Sequence, residues 1–420
     1  MARSRTWCNV FALTLIGTGA TPLYGQAAQR DTTIAALPRA GYEPRPLNFN
    51  GITVLPTLDA NVTYNSNIFA LPDRVINDKG DTKSPPDDAI FTISPRVVAE
   101  LNRPAIDIKA DAHASFLRYV STPNEDVDTF GFALDTVKKG GANHTLTANV
   151  SFDRLYQQRS DPEADLDIGR PPSLINKLSG ELSYRYQGSR IGMLVDLSVD
   201  QLNYLPAADA DRDLTNYSAS MRGSVIVLPR ISVFIQPFVN RRDARLPKDF
   251  SGVDRDDTTA GALAGMSFDL TDRLQGNMGL GVFIVRPDDS RLDKYTGLAA
   301  SGRLNWHPRV RTSVTLDVSR GDAATVRQGA TGRTDTIVGL AIDQEARHNL
   351  ILHGAVGIQE IHYRGINRDQ HYLTGAGEAR YLINRVYSIV LGANYTRRHA
   401  VVAAEHFNRW QTTLGVRAAF

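Results

Sequence analysis

Cysteine is almost missing from these 420 residues: Cys8 is the single one. It lies in a stretch that reads as a removable export signal, so a disulfide framework and a thiolate metal site are both excluded. Long apolar runs are missing too. A spanning helix needs about 18 consecutive apolar residues, and no stretch after the short run Val10 to Ile16 reaches that length. Charge of one sign is also lacking: 47 Lys and Arg stand against 45 Asp and Glu, a net charge of +2, which argues against a general nucleic-acid surface. The mean hydropathy of −0.26 resembles that of a soluble protein. It is equally compatible with a membrane barrel, in which only alternate strand residues face lipid.

What is present begins with Arg3 and Arg5 before the apolar run and a small-x-small site at Gly25-Gln26-Ala27, the layout of a secretory signal over residues 1–27. Residues 28–50 hold Pro38, Pro44 and Pro46 with Arg30, Arg39 and Arg45, which predicts an extended periplasmic leader too short and polar for a plug domain. From residue 51 to 420 the pattern is strand, short turn, strand, longer loop. Ile106, Ile108, Ala110, Ala112, Ala114 and Phe116 alternate with Asp107, Lys109, Asp111, His113 and Ser115. Ile191 to Val199, Val310 to Ser319 and Tyr387 to Tyr395 alternate in the same way. The chain ends on Trp410, Thr412, Leu414, Val416, Ala418 and Phe420, alternating with polar or small residues. A period of two between unlike faces describes a strand separating two media.

Tight turns fall at Asn102-Arg-Pro104, Lys139 to Asn143, Gln187 to Arg190, Leu228-Pro-Arg230, Thr271-Asp-Arg273, His307-Pro-Arg309, Glu345 to His348 and Ile383-Asn-Arg385. Longer polar connections separate them, the longest at Asn65 to Asp88 and Arg159 to Ser173. Short turns on one side and long loops on the other predict an all-β, transmembrane antiparallel β-barrel of about 18 strands, both termini periplasmic, in the bacterial outer membrane. Merging the weakest hairpin, around Asp256 to Leu270, would leave 16. Pro56, Pro95 and Pro237 fall inside strands, where bulges are expected to accommodate them. An aromatic girdle is expected from Tyr64, Tyr119, Tyr156, Tyr204, Trp306, Tyr363, Tyr387, Tyr395 and Trp410.

Three segments carry a family resemblance: Pro38 to Pro46, Gly51-Ile-Thr-Val-Leu-Pro-Thr-Leu58, and Tyr64-Asn-Ser-Asn-Ile-Phe69. An Arg/Pro-rich leader, a first strand bearing proline, and an aromatic followed by Asn-aliphatic-aromatic resemble the opening of an outer-membrane family catalogued as a second class of β-barrel porins. Tyr64, Asn67, Ile68 and Phe69 fill the motif, while Ser66 stands where an acidic residue is usual. The resemblance implies a β-barrel and a role in exopolysaccharide or capsule export. It supplies no catalytic residues.

No histidine sits in a nucleophile motif, and His362 and His371 lack metal-ligand spacing, so no enzyme, cofactor or metal is expected. The acid pairs Asp87-Asp88, Asp256-Asp257 and Asp288-Asp289 lie in or beside loops. They could bridge lipopolysaccharide through divalent ions or simply be solvated. With the apolar faces toward lipid, parity places Arg96, Glu100, Lys109, Asp111, His113, Asp196, Arg311, Asp317, Arg409 and Arg417 in the lumen, a wet wall of mixed sign. Phe234, Phe238 and Phe283 share that parity and could stack on sugars. Phe420, Val416 and Leu414 form the expected assembly signal. The expected partners are outer-membrane lipid and lipopolysaccharide, the barrel assembly machinery, and polysaccharide with periplasmic export components. A diffusion porin for small solutes and a loop-closed structural or adhesive barrel are the alternatives.

Overall fold

The computed structural model describes residues 33–420 except 74, 77–81, 165–166 and 272. The export signal therefore lies outside the described residues, as does the leader up to residue 32. The chain folds into a closed antiparallel ring of 18 strands, to which the short segment Leu47–Phe49 adds by pairing with Ile52 to Val54: β1 Ile52–Asn65, β2 Asp88–Asn102, β3 Ile106–Tyr119, β4 Val127–Gly140, β5 His144–Tyr156, β6 Leu174–Gln187, β7 Ile191–Tyr204, β8 Leu214–Leu228, β9 Ile231–Ala244, β10 Asp257–Thr271, β11 Leu274–Pro287, β12 Tyr295–Arg309, β13 Thr312–Ala323, β14 Gly332–Arg347, β15 Leu350–Arg364, β16 Gln370–Leu382, β17 Tyr387–Ala400 and β18 Phe407–Ala419. Each strand pairs with its neighbour in sequence. The circle closes where Thr57 to Asn65 of β1 meet Ala419 to Gln411 of β18. The count is 18, and the Gly/Ala-rich hairpin β10–β11 is complete. Among the described residues no helix is long and apolar enough to cross a membrane.

The alternation read in the sequence becomes two surfaces. Large apolar side chains stand outward and exposed: Phe91, Ile93 and Val97 on β2, Leu280 and Val282 on β11, Leu391 on β17, Leu414 and Val416 on β18. Their partners in the period of two point inward, with Asp111, Gln236, Gln359 and Thr413 all buried. Polar interior and apolar exterior invert the order of a soluble domain and suit a lipid surround. Strands of 13 to 16 residues such as β8, β14 and β18 exceed the roughly 9–11 residues needed to cross a bilayer at a tilt, so their ends stand clear of the apolar band.

The prolines need no bulge. The β1–β2 register runs unbroken through Pro56 opposite Val97 and Leu58 opposite Pro95, and β9–β10 runs through Pro237 opposite Ala262. Each of these prolines is accommodated on one side of its strand, because a residue without N–H forfeits only the ladder bond toward one neighbour. The register shifts lie instead at turns, between Ile226 and Leu228, Asp269 and Thr271, Trp306 and Arg309, and Glu345 and Arg347. The shift at Trp306/Arg309 carries Pro308 within β12 and moves the turn to Val310-Arg311. The aromatic girdle is also smaller than expected. Tyr64, Trp306, Tyr387 and Trp410 are exposed, with Tyr395 tilted against Trp410 at 4.6 Å, whereas Tyr204 and Tyr363 are buried inside.

Candidate functional site

The lumen wall is built from cross-strand pairs of opposite charge. Register sets Glu100 opposite Lys109, Arg303 opposite Asp317 and Asp59 opposite Arg417, and it brings Arg96 and His113, which face each other, both within reach of Asp111. Facing residues are the strongest pairwise neighbours in a sheet. Arg96 Nε donates to both oxygens of Asp111 (3.1 and 2.9 Å), and His113 lies 3.4 Å from Asp111 and from Asp153. Arg303 Nε donates to Asp317 (2.6 Å), and Arg417 grips Asp59 through Nε (2.6 Å) and Nη2 (2.9 Å). Asp196 accepts from Ser183 (2.6 Å) and Ser220 (3.4 Å). The wall is wet and polar, and many of its charges are compensated by opposite charges on neighbouring strands.

Of the residues assigned to the lumen, Arg311 is displaced. It sits in the β12–β13 turn, largely exposed, 3.7 Å from Glu345. It keeps the parity of Ser313 and Asp317, but the turn at Val310-Arg311 places it at the mouth of the barrel, before the strand begins. The inward phenylalanines are not free for stacking on a ligand. Phe234 lies beneath the Arg222 guanidinium at 4.0 Å, and Phe283 is 2 % exposed beside Leu263, Val285 and Ala299. Glycines on β10 to β12 leave room for these rings. A Cβ on Gly265 would lie 2.7 Å from Phe234 Cζ, and one on Gly261 or Gly297 would run into Phe238 or Phe283. Rings lying over inward glycines restore the apolar area that glycine strands lack.

At the long-loop end the lumen is filled by chain. The connection from Gln157 to Ser173 turns inward and crosses to the wall of β13–β18. There Tyr372 Oη donates to Ser160 O (2.9 Å), Arg409 Nη2 to Ser160 Oγ (3.2 Å) and Arg327 Nη2 to Pro162 O (2.5 Å). Glu163 accepts from Tyr363 Oη (2.9 Å), Thr325 Oγ1 (3.1 Å) and Arg333 Nη1 (3.4 Å). Arg333, Tyr363 and Glu163 are almost wholly buried. Burial pushes the Asp161 carboxyl up to about 7, against the pull of a backbone N–H and of Arg409, Arg333 and Arg398. Beside this loop, Ala70 of the β1–β2 connection packs with Ala330, Ile361, Tyr363, Tyr372 and Phe407. Asn67 ties that connection down, donating to Leu71 O (2.7 Å) and Asn408 O (3.1 Å), and Phe69 lies under the Arg159 guanidinium. Asn67, Ile68 and Phe69, residues of the motif in the first connection, thus serve the closure.

At the short-turn end the leader enters the opposite mouth. Ile34–Ala36 forms a 3-10 turn against β14 and β15, Ile34 is 3 % exposed, and its N–H donates to Ser313 Oγ (3.0 Å). Arg39 folds over this turn, donating to Ile34 O (2.8 Å) and Leu37 O (2.9 Å), 3.8 Å from Glu345. His348 Nε2 then meets Ala40 O at 2.9 Å on the way out. The leader is extended beyond Gly41, but it reaches into the barrel rather than hanging free. A cavity for it exists only once the sheet has closed, so local sequence carried no signal of the docking.

Ser313, Asp343 and His353 lie together, yet Ser313 Oγ donates to Asp343 (3.5 Å) and accepts from Ile34 while His353 Nδ1 meets Asp343 (2.8 Å). The hydroxyl has no imidazole to take its proton, which a nucleophile requires. The acid pairs are engaged elsewhere. Asp88 accepts from Ser121 and Thr122, Asp256 from the Ala244 N–H, Asp288 from Arg241 and Asp289 from Arg291. Asp257 is ion-paired with Arg242 (3.0 Å). Among the described residues no group of three or more His, Cys, Asp or Glu could hold a metal.

No protein of curated function matches the sequence. Among solved structures, the FrpB iron transporter of Neisseria meningitidis (F3-3 variant) aligns with a TM-score of 0.44 and 11% identity over 82% of this chain and 62% of its own. The chain thus spans less than two thirds of that protein. The outer membrane protein opdK of Pseudomonas aeruginosa aligns at 0.44 and 10% over 87% and 99%, and the siderophore receptor PirA of the same organism at 0.44 and 8% over 90% and 81%. A family model matches residues 40–420, and the chain belongs to that family, described as "Putative beta-barrel porin 2".

Proposed function

We propose that the protein forms a polar passage through the bacterial outer membrane, with both termini and the short turns in the periplasm. We propose further that its cargo is an exported exopolysaccharide or capsular polysaccharide. The observation that carries the passage is the closure at the long-loop end: Gln157 to Ser173 are held across a polar lumen chiefly by hydrogen bonds and ion pairs. Water can replace each such bond, so a closure of this kind opens at modest cost. Membership of the porin family supports the same reading, and the family resemblance supports the cargo. Partners on this reading are outer-membrane lipid and lipopolysaccharide, the assembly machinery that reads the terminal Phe420, and periplasmic export components. Purified protein in planar bilayers is expected to conduct, and a deletion strain to lose surface polysaccharide. Unchanged polysaccharide would remove the cargo and leave the passage. The engaged Phe234 and Phe283 rings favour a second reading, diffusion of small solutes, which sugar uptake into proteoliposomes separates from the first. A barrel that never conducts, even with the Gln157–Ser173 loop shortened, would be structural.

A further inference from the structure

Every turn of the short-turn rim carries a basic residue. Arg103, Arg190, Arg230, Arg273, Arg311 and Arg385 mark six of the eight turns, Lys139 and Arg347 flank the other two, and all are exposed. Several arginines at the opposite end are engaged by carboxylates, Arg159 by Glu125 (2.6 Å), Arg255 by Asp249 (2.7 Å) and Arg241 by Asp288 (2.8 Å). On the turn rim, among the described residues, Lys139 pairs with Asp107 (2.8 Å) and Arg311 with Glu345 (3.7 Å). Among the described residues, Arg103, Arg190, Arg230 and Arg385 take part in no ion pair.

These cations alternate with strongly exposed apolar side chains. Arg190 precedes Ile191 (61 % exposed), Arg230 follows Leu228 (58 %), and Arg309 and Arg311 flank Val310 (85 %). A cation beside an apolar group at one height, repeated around a circumference, matches a boundary between hydrocarbon and anionic head groups. A soluble acidic polymer or protein would meet one patch and would have no use for the interleaved apolar residues. We propose that the turn rim binds an annulus of anionic phospholipid, its phosphate oxygens accepting hydrogen bonds from the turn arginines. This rests on the proposed reading that the barrel spans a membrane with its turns at the phospholipid leaflet.

Two tryptophans report the two ends separately: Trp306 stands outward beside the β12–β13 turn, Trp410 outward at the loop end. Full-length protein carrying W7F together with W410F or W306F, in phosphatidylcholine vesicles with a minority of brominated lipid, reads each site by quenching. At equal content, brominated phosphatidylglycerol should quench Trp306 about fivefold more effectively than brominated phosphatidylcholine, the gain from one arginine–headgroup contact. Trp410 should show no preference. R273Q/R309Q/R311Q should abolish the preference while the protein still migrates as a heat-modifiable band, and high salt should abolish it in the unsubstituted rim. Should the triple variant not fold, the salt series decides. Equal quenching of Trp306 by the two lipids, a preference that survives the substitutions or salt, or its loss to an added acidic polysaccharide overturns the proposal. Quenching of neither tryptophan by either lipid overturns the membrane reading itself, and the annulus with it.

Discussion

Replacing Glu163 with alanine should open the barrel. Its carboxylate accepts from Tyr363 (2.9 Å) and Thr325 (3.1 Å), with Arg333 at 3.4 Å and Arg327 at 3.8 Å. Stripping one partner from a buried ion pair ordinarily costs about 3–5 kcal/mol, because the other charge is orphaned. Arg333 is not orphaned, since its Nε and Nη2 still donate to Asp335 (2.7 and 2.5 Å). The loss is therefore that of two good hydrogen bonds to a charged acceptor, about 3 kcal/mol together. At 1.4 kcal/mol per factor of ten, the ratio of seated to released loop falls by about a hundredfold. In planar bilayers the variant should spend a far larger fraction of time conducting. E163Q, which keeps an acceptor oxygen and loses the charge, should fall between. Heat-modifiable migration shows whether the barrel remains folded. A folded E163A protein with closed times like those of the parent would refute the idea that this loop controls the passage.

Other outcomes follow from the same contacts. The raised Asp161 means that the seated loop binds a proton more readily than a released, solvated one. Seating is thus strongest at low pH and weakens as pH rises from about 4 toward about 7; conductance should grow over that range and level off above it, and D161N should flatten that rise. Gly265→Ala places a methyl 2.7 Å from Phe234 Cζ and 2.7 Å from Gly279 Cα. It should lower the urea midpoint of the folded band by an amount equivalent to about 1–3 kcal/mol, and an unchanged midpoint would count against close packing there. Phe420→Asp should reduce the folded fraction in vivo and leave the conductance of molecules that do insert unaltered; normal insertion of this variant would refute the assembly role.

The wall was legible because its physics is local. Alternation over Ile106 to Phe116 or Trp410 to Phe420 needs only the sheet period, and eight turns, six of them punctuated by Gly, Pro or Asn, set the strand number. Parity held at Arg311 but did not show that this residue lies in the turn, because Pro308 reads as a turn residue but lies within a bulged strand. It also could not tell Tyr204 and Tyr363 from girdle aromatics, since a tyrosine near a strand end suits either medium. Loop length marked Arg159 to Ser173 as able to constrict the lumen. Its anchors Tyr363, Tyr372, Arg333 and Arg409 were hidden, because they are ordinary inward residues until a particular loop meets them. Ser160 and Tyr372 are 212 residues apart, and no local pattern encodes such a meeting. The leader's docking on Ser313 was hidden for the same reason.

The seam between the first and last strands bears on how the protein comes to exist. Every other strand pairs with its neighbour in sequence, a single turn or loop away, so each hairpin can form as soon as its two halves are present. The β1–β18 ladder joins residues such as Asp59 and Arg417, separated by 358 positions, and on the β18 side it engages β1 only from Thr57 onward, whereas β2 engages β1 from Ile52. Closing so large a ring carries the greatest entropic cost of any pairing in the molecule, and it comes last. Until then two unpaired edges stand open. The lifetime of that gaping sheet, rather than the strength of any one hairpin, should therefore set the rate at which the finished barrel appears.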